Sequence, residues 1–353
     1  MSADPTPSPA SPELHVIAGK GPVGSATARL LAEAGHRVRV LSRSGAPAGA
    51  TPAAATPAAI EHVAVDVADA AAVAAATTGA AAIYNCLNPE YHRWATDWPP
   101  MAAALLDAAE AHGAVLVTMS NLYAYGPVDG PLTEDLPLAA TGTKGKVRAG
   151  MWRDALARHE AGRVRVTEAR ASDFYGPGVT DGGQFGERAV PRLLAGKRVQ
   201  VIGNPDQPHS WTYIPDVARA LVRLGSVERA WGRAWHVPTA PALSAREMVA
   251  GLCRAAGVPA VKVAPIPRPV IRIGGLFVPF LRELEETRYQ FDRPFVVDSS
   301  AFSRTFGDEA TPVPQALAAT VDWWQARLGG DGRVATPADS LRGGNDIPVP
   351  PRV

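Results

Sequence analysis

Short apolar runs alternate with helical patterns through the first half of the chain. Leu14–Ala18 is a continuous apolar run, and residues 25–34 repeat their apolar positions at helical spacing before Gly35. Continuous apolar runs are typical of strands buried on both faces, and helical spacing is typical of helices on a sheet. The same alternation predicts strands at 37–41, 62–65, 81–86, 114–119 and 163–169, and helices at 69–77, 98–112 and 146–161.

Strands that alternate with helices form βαβ units and a parallel sheet, and right-handed crossovers favour the doubly wound arrangement. The sequence therefore predicts an α/β Rossmann domain over residues 13–175. After Tyr175 the strands shorten and Pro and Gly become frequent. Ser244 and Glu247 form a capping-box pattern that predicts a helix start. A last helix is predicted at 314–328. We expect a smaller substrate lobe at 176–330 that returns part of the sheet to the core.

Three segments are rich in Pro, Gly, Ala or Thr and lack apolar periodicity. Residues 1–12 are predicted to be a disordered leader without signal-peptide character, residues 44–59 a long surface loop, and residues 331–353 a disordered tail. The two lobes lie between the leader and the tail, and the 44–59 loop falls within the first lobe. The sequence shows no internal repeat.

A glycine-rich turn follows the first strand and opens a helix, which is the context that gives the GxGxxG pattern its meaning. The first glycine permits the tight turn, the second lets the pyrophosphate approach, and the third lets helix pack on strand. The helix start offers free N–H groups to phosphate. The predicted cofactor-binding residues here are Gly19, Lys20, Gly21, Pro22, Val23 and Gly24.

The residues at the end of the second strand favour NADP(H) over NAD(H). NAD binders place an acid there for the ribose diol, whereas this chain has Ser42 and Arg43 and no acid. A guanidinium suits a 2′-phosphate. The alternative is a solvated loop arginine. Asp66 and Val67, after the third strand, are predicted to contact the adenine, with a helix N-cap as the alternative for Asp66. Leu87 completes the predicted cofactor contacts.

Four segments together resemble the extended short-chain dehydrogenase/reductase superfamily, of the NAD-dependent epimerase/dehydratase type. They are the glycine turn and residues 119–126, 170–178 and 211–218, and the resemblance covers roughly residues 13–310. It implies a Rossmann domain with a C-terminal substrate lobe and hydride chemistry at a nicotinamide.

The resemblance also implies catalytic positions, and this chain departs from them. The Ser or Thr that orients the substrate oxygen is replaced by Asn121, with Ser120 beside it; an amide can still donate to a carbonyl. The Tyr-x-x-x-Lys pair expected near 142–149 is absent, and none of the seven tyrosines has Lys four residues later. Lys146 is the lysine predicted to contact the nicotinamide ribose, with a solvated helix-start residue as the alternative.

Proton transfer then needs another donor. Tyr123 is unusual for the family and is the first candidate, whereas Tyr125 matches a tyrosine that is usually structural. His209 stands where related enzymes often carry an arginine for phosphate, and Asp173 replaces an asparagine that contacts substrate. A structural histidine is the alternative for His209. Together these two residues argue against a nucleotide-sugar substrate.

Aromatic residues after the fourth strand border the nicotinamide side in this fold. Tyr91, Trp94 and Trp98 predict a flat apolar substrate site, with Trp94 as a substrate contact. Packing at the seam between the lobes is an equally open alternative.

These features predict an atypical NADP(H)-dependent oxidoreductase or epimerase acting on a small, non-nucleotide carbonyl compound. The alternative is a non-catalytic NADP(H)-binding sensor or scaffold. A formal net charge of +1 indicates no nucleic-acid partner, and the apolar stretch 273–281 is too short to span a membrane. The two cysteines suit a reducing cytoplasm. The eight histidines show no metal-ligand spacing, so no metal site is expected. A homodimer is compatible with the sequence.

Overall fold

The computed structural model describes residues 12–46 and 60–330. The predicted leader (all but its last residue), most of the predicted 44–59 loop and the predicted tail lie outside the described residues. Within the described part, no helix is both long and apolar enough to cross a bilayer.

Eleven strands occur in the described residues. In chain order they are β1 (Leu14–Ala18), β2 (Arg37–Ser42), β3 (Ile60–Ala64), β4 (Ala80–Asn85), β5 (Val115–Asn121), β6 (Arg165–Ala171), β7 (Asp173–Tyr175), β8 (Val199–Val201), β9 (Trp211–Tyr213), β10 (Ala234–His236) and β11 (Val263–Pro265).

Twelve α-helices accompany them in the same part of the chain. They are α1 (Pro22–Glu33), α2 (Ala70–Ala76), α3 (Trp94–His112), α4 (Thr143–Glu160), α5 (Val190–Leu194), α6 (Ile214–Ser226), α7 (Ala245–Ala256), α8 (Arg268–Gly274), α9 (Pro279–Thr287), α10 (Tyr289–Asp292), α11 (Ser300–Phe306) and α12 (Val313–Gly330). Short 3-10 turns at Tyr91–Arg93 and Tyr123–Tyr125 follow β4 and β5.

The main sheet has seven parallel strands in the order β10-β6-β5-β4-β1-β2-β3. This is the doubly wound Rossmann arrangement that the sequence predicts, extended by β10 from the C-terminal half. The chain order reverses between β1 and β4, and ligands bind in the crevice beyond the strand ends at such a switch point. The glycine turn lies there.

Buried apolar residues form a separate core on each face of the sheet. One core includes Ile17 and Val217 of α6, and the other includes Val16 and Leu105 of α3. A third core, which includes Trp324 of α12, joins residues from 175 to 324 under the C-terminal lobe. This third core lies apart from the two sheet cores, and β10 from the C-terminal half joins the main sheet.

The structure corrects several predicted boundaries. Helix α1 begins at Pro22, because proline at the first helical position sacrifices no hydrogen bond. Helix α4 begins at Thr143 rather than 146. Strand β5 runs to Asn121, which pairs with Ala171 of β6, so it extends past the predicted end at 119.

Helix α3 also begins earlier than predicted, at Trp94 instead of Trp98. The two indoles lie one helical turn apart, and both are buried. Burial of this aromatic face offsets the hydrogen bonds that Pro99 and Pro100 cannot donate inside the helix.

Candidate cofactor and active site

The three glycines of the turn have the separate roles expected of a dinucleotide site. Gly19 has a φ of +108°, and a Cβ there would lie 2.6 Å from the carbonyl oxygen of Cys86. A Cβ on Gly24 would collide with the carbonyl oxygen of Gly19. A Cβ on Gly21 would meet nothing within 4 Å. The outer glycines thus allow tight packing, and the middle one faces open space where a pyrophosphate fits.

The start of α1 leaves donors for that phosphate. Its N-cap is Gly21, which has no side chain to cap the first N–H groups. Such groups carry a partial positive charge. At the end of β2, the Ser42 hydroxyl is buried without a hydrogen-bond partner in the described residues. Unpaired donors and an open glycine cradle fit a dinucleotide.

Three basic side chains lie on or after the first three strands: Lys20 follows β1, Arg43 follows β2, and His62 is the middle residue of β3. The Lys20 ammonium donates to the hydroxyl of Ser44 at 2.7 Å. Arg43 is exposed beside it. Burial and the nearby Lys20 charge lower the pKa of His62. This group of Lys20, Arg43 and His62 is the basic cluster.

The other predicted cofactor residues lie around the same crevice. Leu87 adjoins the turn, because a Cβ on Gly19 would be 3.2 Å from its backbone nitrogen. Val67 is buried in the core, and the Asp66 carboxylate accepts from the backbone N–H of residue 68 at 3.0 Å. The N-cap of α2 is Asp69. The N-cap alternative for Asp66 is therefore wrong.

Strand β5 ends with the two polar residues predicted to hold a substrate oxygen. Successive side chains of a strand point to opposite faces, so Ser120 and Asn121 cannot serve the same side of the sheet. The carboxamide oxygen of Asn121 accepts from the backbone N–H of Tyr123 at 3.1 Å. Its amide nitrogen makes no bond among the described residues, which leaves two donors available.

A pair of tyrosines joins the loops that follow β4 and β5. The hydroxyls of Tyr91 and Tyr123 are 2.8 Å apart. Burial first, and then the neighbouring Tyr91 and Asp173, raises the pKa of Tyr123 well above its ordinary value. Burial also raises the pKa of Tyr91. Both phenols therefore keep their protons at neutral pH, and the pair can donate a proton but is a poor base.

The predicted substrate contact Trp94 lies behind this pair. Its side chain is 1% exposed, it stacks on Tyr123 with ring centroids 5.9 Å apart, and its indole N–H donates to the carbonyl of Pro89. The prediction of a substrate contact for Trp94 is therefore wrong. Buried aromatic packing explains its presence: Trp94 supports Tyr123.

Arg148 of α4 is a buried cation that sequence reasoning missed. Its guanidinium lies 4.8 Å from the ring centroid of Trp94 and 4.2 Å from that of Trp98. Burial lowers its pKa to about 10. Nε of Arg148 and Nε1 of Trp98 have no hydrogen-bond partner in the described part of the chain. A cation on aromatic faces beside the phenols makes the local field positive.

Asp173 and His209 form an ion-pair contact, with Nε2 of His209 2.9 Å from a carboxylate oxygen of Asp173. The other ring nitrogen of His209 lies 3.0 Å from the carbonyl oxygen of Gln290. Each ring nitrogen thus has a polar partner, and the structure places Asp173 and His209 in direct contact.

Tyr125 does not belong to the candidate site. Its hydroxyl accepts from Nη1 of Arg170 at 2.7 Å and contacts Nε2 of His236 at 2.8 Å. The side chain is 1% exposed. The catalytic expectation for Tyr125 is therefore corrected, because its hydroxyl is committed to the core.

The structure also corrects the prediction that Lys146 contacts the nicotinamide ribose. Lys146 is exposed and lines a cavity of about 500 Å³ between α3, α4 and the sheet. Two residues along a helix turn a side chain by about 200°, so Lys144 lies on the other side. Its ammonium is 5.7 Å from the ring centroid of Tyr91 and pairs with Glu283 at 2.5 Å and Glu286 at 3.1 Å.

Comparisons with known proteins support what this geometry indicates. The family model described as "NAD dependent epimerase/dehydratase family" matches residues 15–233. A dTDP-glucose 4,6-dehydratase of Streptomyces griseus is 32% identical over 227 residues, which are 62% of this chain and 62% of that protein. The match thus spans less than two thirds of this relative's length.

Solved structures share the fold. A dTDP-glucose 4,6-dehydratase of Bacillus anthracis in complex with NAD has a TM-score of 0.72 at 16% identity, covering 90% of this chain and 98% of that one. A UDP-glucuronic acid 4-epimerase of Bacillus cereus in complex with NAD has a TM-score of 0.71 at 16% identity, covering 89% and 99%. At these identities the likeness concerns the fold.

Proposed function

Because this chain belongs to the NAD-dependent epimerase/dehydratase family of enzymes, we propose that it is an NADP(H)-dependent reductase of a small carbonyl compound. The observation that carries the proposal is the protonated Tyr91–Tyr123 pair beside the amide of Asn121. Curated relatives of the chain are enzymes, which favours this function over the sensor or scaffold alternative.

The glycine turn and α1 would hold the pyrophosphate, and the basic cluster would hold the 2′-phosphate of NADP(H). NAD in both structural neighbours supports a nicotinamide dinucleotide. The preference for NADP(H) is supported by this chain's own residues. Arg43 follows β2, where NAD binders place an acid that would repel the 2′-phosphate, and the Lys20 ammonium contacts the adjacent Ser44.

When bound, the nicotinamide exchanges hydride with the substrate carbon. Asn121 would donate its amide N–H to the carbonyl oxygen, where negative charge develops. Tyr123 would give that oxygen a proton, and the hydroxyl of Tyr91, 2.8 Å away, would orient the Tyr123 hydroxyl. The charge of Arg148 would favour the phenolate that Tyr123 leaves.

The raised pKa of Tyr123 keeps its hydroxyl protonated, which limits the kind of proton transfer that it can perform. Epimerisation through a ketone begins with removal of a hydroxyl proton, for which a base is needed. A phenol with a raised pKa is a poor base at neutral pH, yet it can protonate an alkoxide. Reduction therefore suits this site better than epimerisation.

The Asp173–His209 contact supports a substrate without a nucleotide diphosphate. A pyrophosphate would approach the Asp173 carboxylate, and His209 already contacts that carboxylate at 2.9 Å. Repulsion and loss of the existing pair would both weaken such a substrate. An uncharged small molecule would meet neither cost.

The proposal is tested by titrating the purified full chain with NADPH and NADH by calorimetry. NADPH consumption is then followed with a panel of aldehydes, ketones and enones, and with a nucleotide sugar. We expect tighter NADPH binding and oxidation with an uncharged carbonyl. Binding of neither cofactor, or turnover of the nucleotide sugar alone, would overturn the proposal.

Arg43→Ala sharpens the cofactor assignment. Loss of a charge-assisted phosphate contact should weaken NADPH binding by roughly tenfold or more and leave NADH binding nearly unchanged. The matched control is Arg37→Ala, an exposed arginine at the opposite end of β2. Equal losses for both cofactors in Arg43→Ala would show that Arg43 does not contact the 2′-phosphate.

A further inference from the structure

Histidines and a carboxylate meet at the end of the sheet opposite the cofactor turn. Glu13 precedes β1, His15 is its second residue, and His36 precedes β2. One ligand atom from each lies within 4.8 Å of the others, the only such convergence of His, Cys, Asp and Glu side chains found among the described residues. Strand β1 rises about 3.3 Å per residue, so roughly 13 Å separates His15 from the glycine turn.

Backbone pairing sets this convergence. Leu14 pairs with Arg37 across the parallel strands, and the N–H of Arg37 donates to the carbonyl of Glu13 at 2.9 Å. The residues just before each strand, Glu13 and His36, are therefore neighbours. The rings of His15 and His36 meet edge to face with centroids 4.5 Å apart. The rigid sheet fixes the positions of the backbone that carries all three side chains.

Two imidazole nitrogens in this group are buried and unpartnered. They are Nε2 of His15 and Nδ1 of His36, and neither has a hydrogen-bond partner in the described residues. His15 is 4% exposed. Buried ring nitrogens normally have partners, because an unmet one costs about 1–3 kcal/mol. Nε2 of His15 lies 3.9 Å from a carboxylate oxygen of Glu13.

The second nitrogen of His15 is occupied in the way metal-binding histidines usually are. Its Nδ1 lies 3.2 Å from the hydroxyl of buried Tyr84. If Nδ1–H donates to that oxygen, Nε2 carries the free lone pair. An imidazole oriented in this way presents that lone pair to a metal.

We propose that Glu13, His15 and His36 bind one divalent cation of the Zn²⁺ class. Two imidazoles and one carboxylate are a donor set that suits Zn²⁺, whereas Mg²⁺ and Ca²⁺ prefer oxygen ligands alone. Zn²⁺ takes such ligands at about 2.0–2.2 Å, so the three ligand atoms must move closer together than in this structure. The exposed side chain of Glu13 can rotate toward the two imidazoles. The cation would clamp the chain ahead of β1 to the turn between α1 and β2.

The test uses the full chain without a histidine tag. Zn²⁺ is titrated by calorimetry, and Co²⁺ is added to record its visible absorption. Mg²⁺ is titrated as the negative control. We expect one Zn²⁺ per chain, a tetrahedral Co²⁺ spectrum, a rise in Tm with Zn²⁺, and no response to Mg²⁺. His36→Gln and Glu13→Gln should each weaken Zn²⁺ binding at least about tenfold, and Tyr84→Phe should weaken it less.

The matched control is His92→Gln. His92 and Glu90 form another histidine–carboxylate contact, at 3.5 Å, on the surface and without a second imidazole. Zn²⁺ binding should survive this change. Both His36→Gln and Glu13→Gln alter partly exposed side chains, so folding should persist. No binding by the wild type, or equal binding by wild type and His36→Gln, would overturn the proposal.

Discussion

Two tyrosines in one 3-10 turn, Tyr123 and Tyr125, enter buried polar networks of opposite kinds. Around Tyr125 the network is closed. Arg170 donates to Glu168 at 2.6 Å and to Tyr125, whose hydroxyl contacts His236. His236 in turn lies 2.9 Å from the carbonyl of Asp298. Each charge in this closed network has a partner.

Around Tyr123 the network is open. Nε of Arg148 and Nε1 of Trp98 are buried without partners in the described residues. Native cores rarely leave such groups unmet, and those that persist often mark places where a ligand or water completes the bonding. The closed network thus serves stability, and the open one is suited to binding and chemistry.

The largest effect should come from the open network. Tyr123→Phe removes the proposed proton donor, and general acids typically contribute 10²–10⁴-fold to rate. NADPH turnover should fall by about that factor at unchanged cofactor affinity, as followed by absorbance and calorimetry. Full activity in this variant would remove Tyr123 from the mechanism.

Breaking the closed network should cost stability. Arg170→Ala leaves Glu168 buried and unpaired, which typically costs about 3–5 kcal/mol in the free energy of unfolding. Urea denaturation followed by circular dichroism measures it. Arg188→Ala, at an exposed position, is the control and should change the free energy by less than about 0.5 kcal/mol. A loss of similar size in both variants would contradict the contrast.

Acid should also lower the free energy of unfolding through the closed network, by less than Arg170→Ala does. Burial lowers the pKa of His236, whose Nε2 accepts from Tyr125 and whose neighbours include Glu134, Arg170 and Asp298. Because the folded pKa lies below the unfolded value of about 6.5, stability is full above that pH and declines below it. The decline is up to about 1.4 kcal/mol per unit of pKa difference. His236→Gln should flatten this part of the pH profile of unfolding; an unchanged slope would exclude His236 as its source.

The smallest change in stability should follow Arg148→Met. No carboxylate of the described residues forms a salt bridge with this cation, although the charge of Glu168 partly opposes the effect of burial on its pKa. Replacing a poorly paired buried charge with an apolar side chain is often neutral or stabilising. We expect a change within about 1 kcal/mol in urea denaturation, together with reduced turnover. A loss as large as that of Arg170→Ala would place Arg148 with the closed network.

Local patterns predicted the Rossmann sheet and the glycine turn, because apolar periodicity and glycine geometry are set by neighbours in sequence. The prediction for Lys146 rested on its position in the sequence, whereas the helix directs Lys144 and Lys146 to sides about 200° apart. Roles at Trp94 and Tyr125 depend on burial, which spacing alone does not reveal. The Glu13, His15 and His36 group was missed because its members meet across two strands.

Strand β10 has a consequence for how this enzyme family can vary. It pairs with β6 although residues 172–233 intervene, so that segment leaves the sheet at one strand and returns at the adjacent one. Neighbouring strands lie about 4.8 Å apart, and this spacing fixes both anchor points of the segment. Residues of that segment, among them the proposed substrate contacts Asp173 and His209, can therefore be exchanged while both anchor strands stay in place. A cut at residue 175 would instead expose the edge of β6 and invite aggregation.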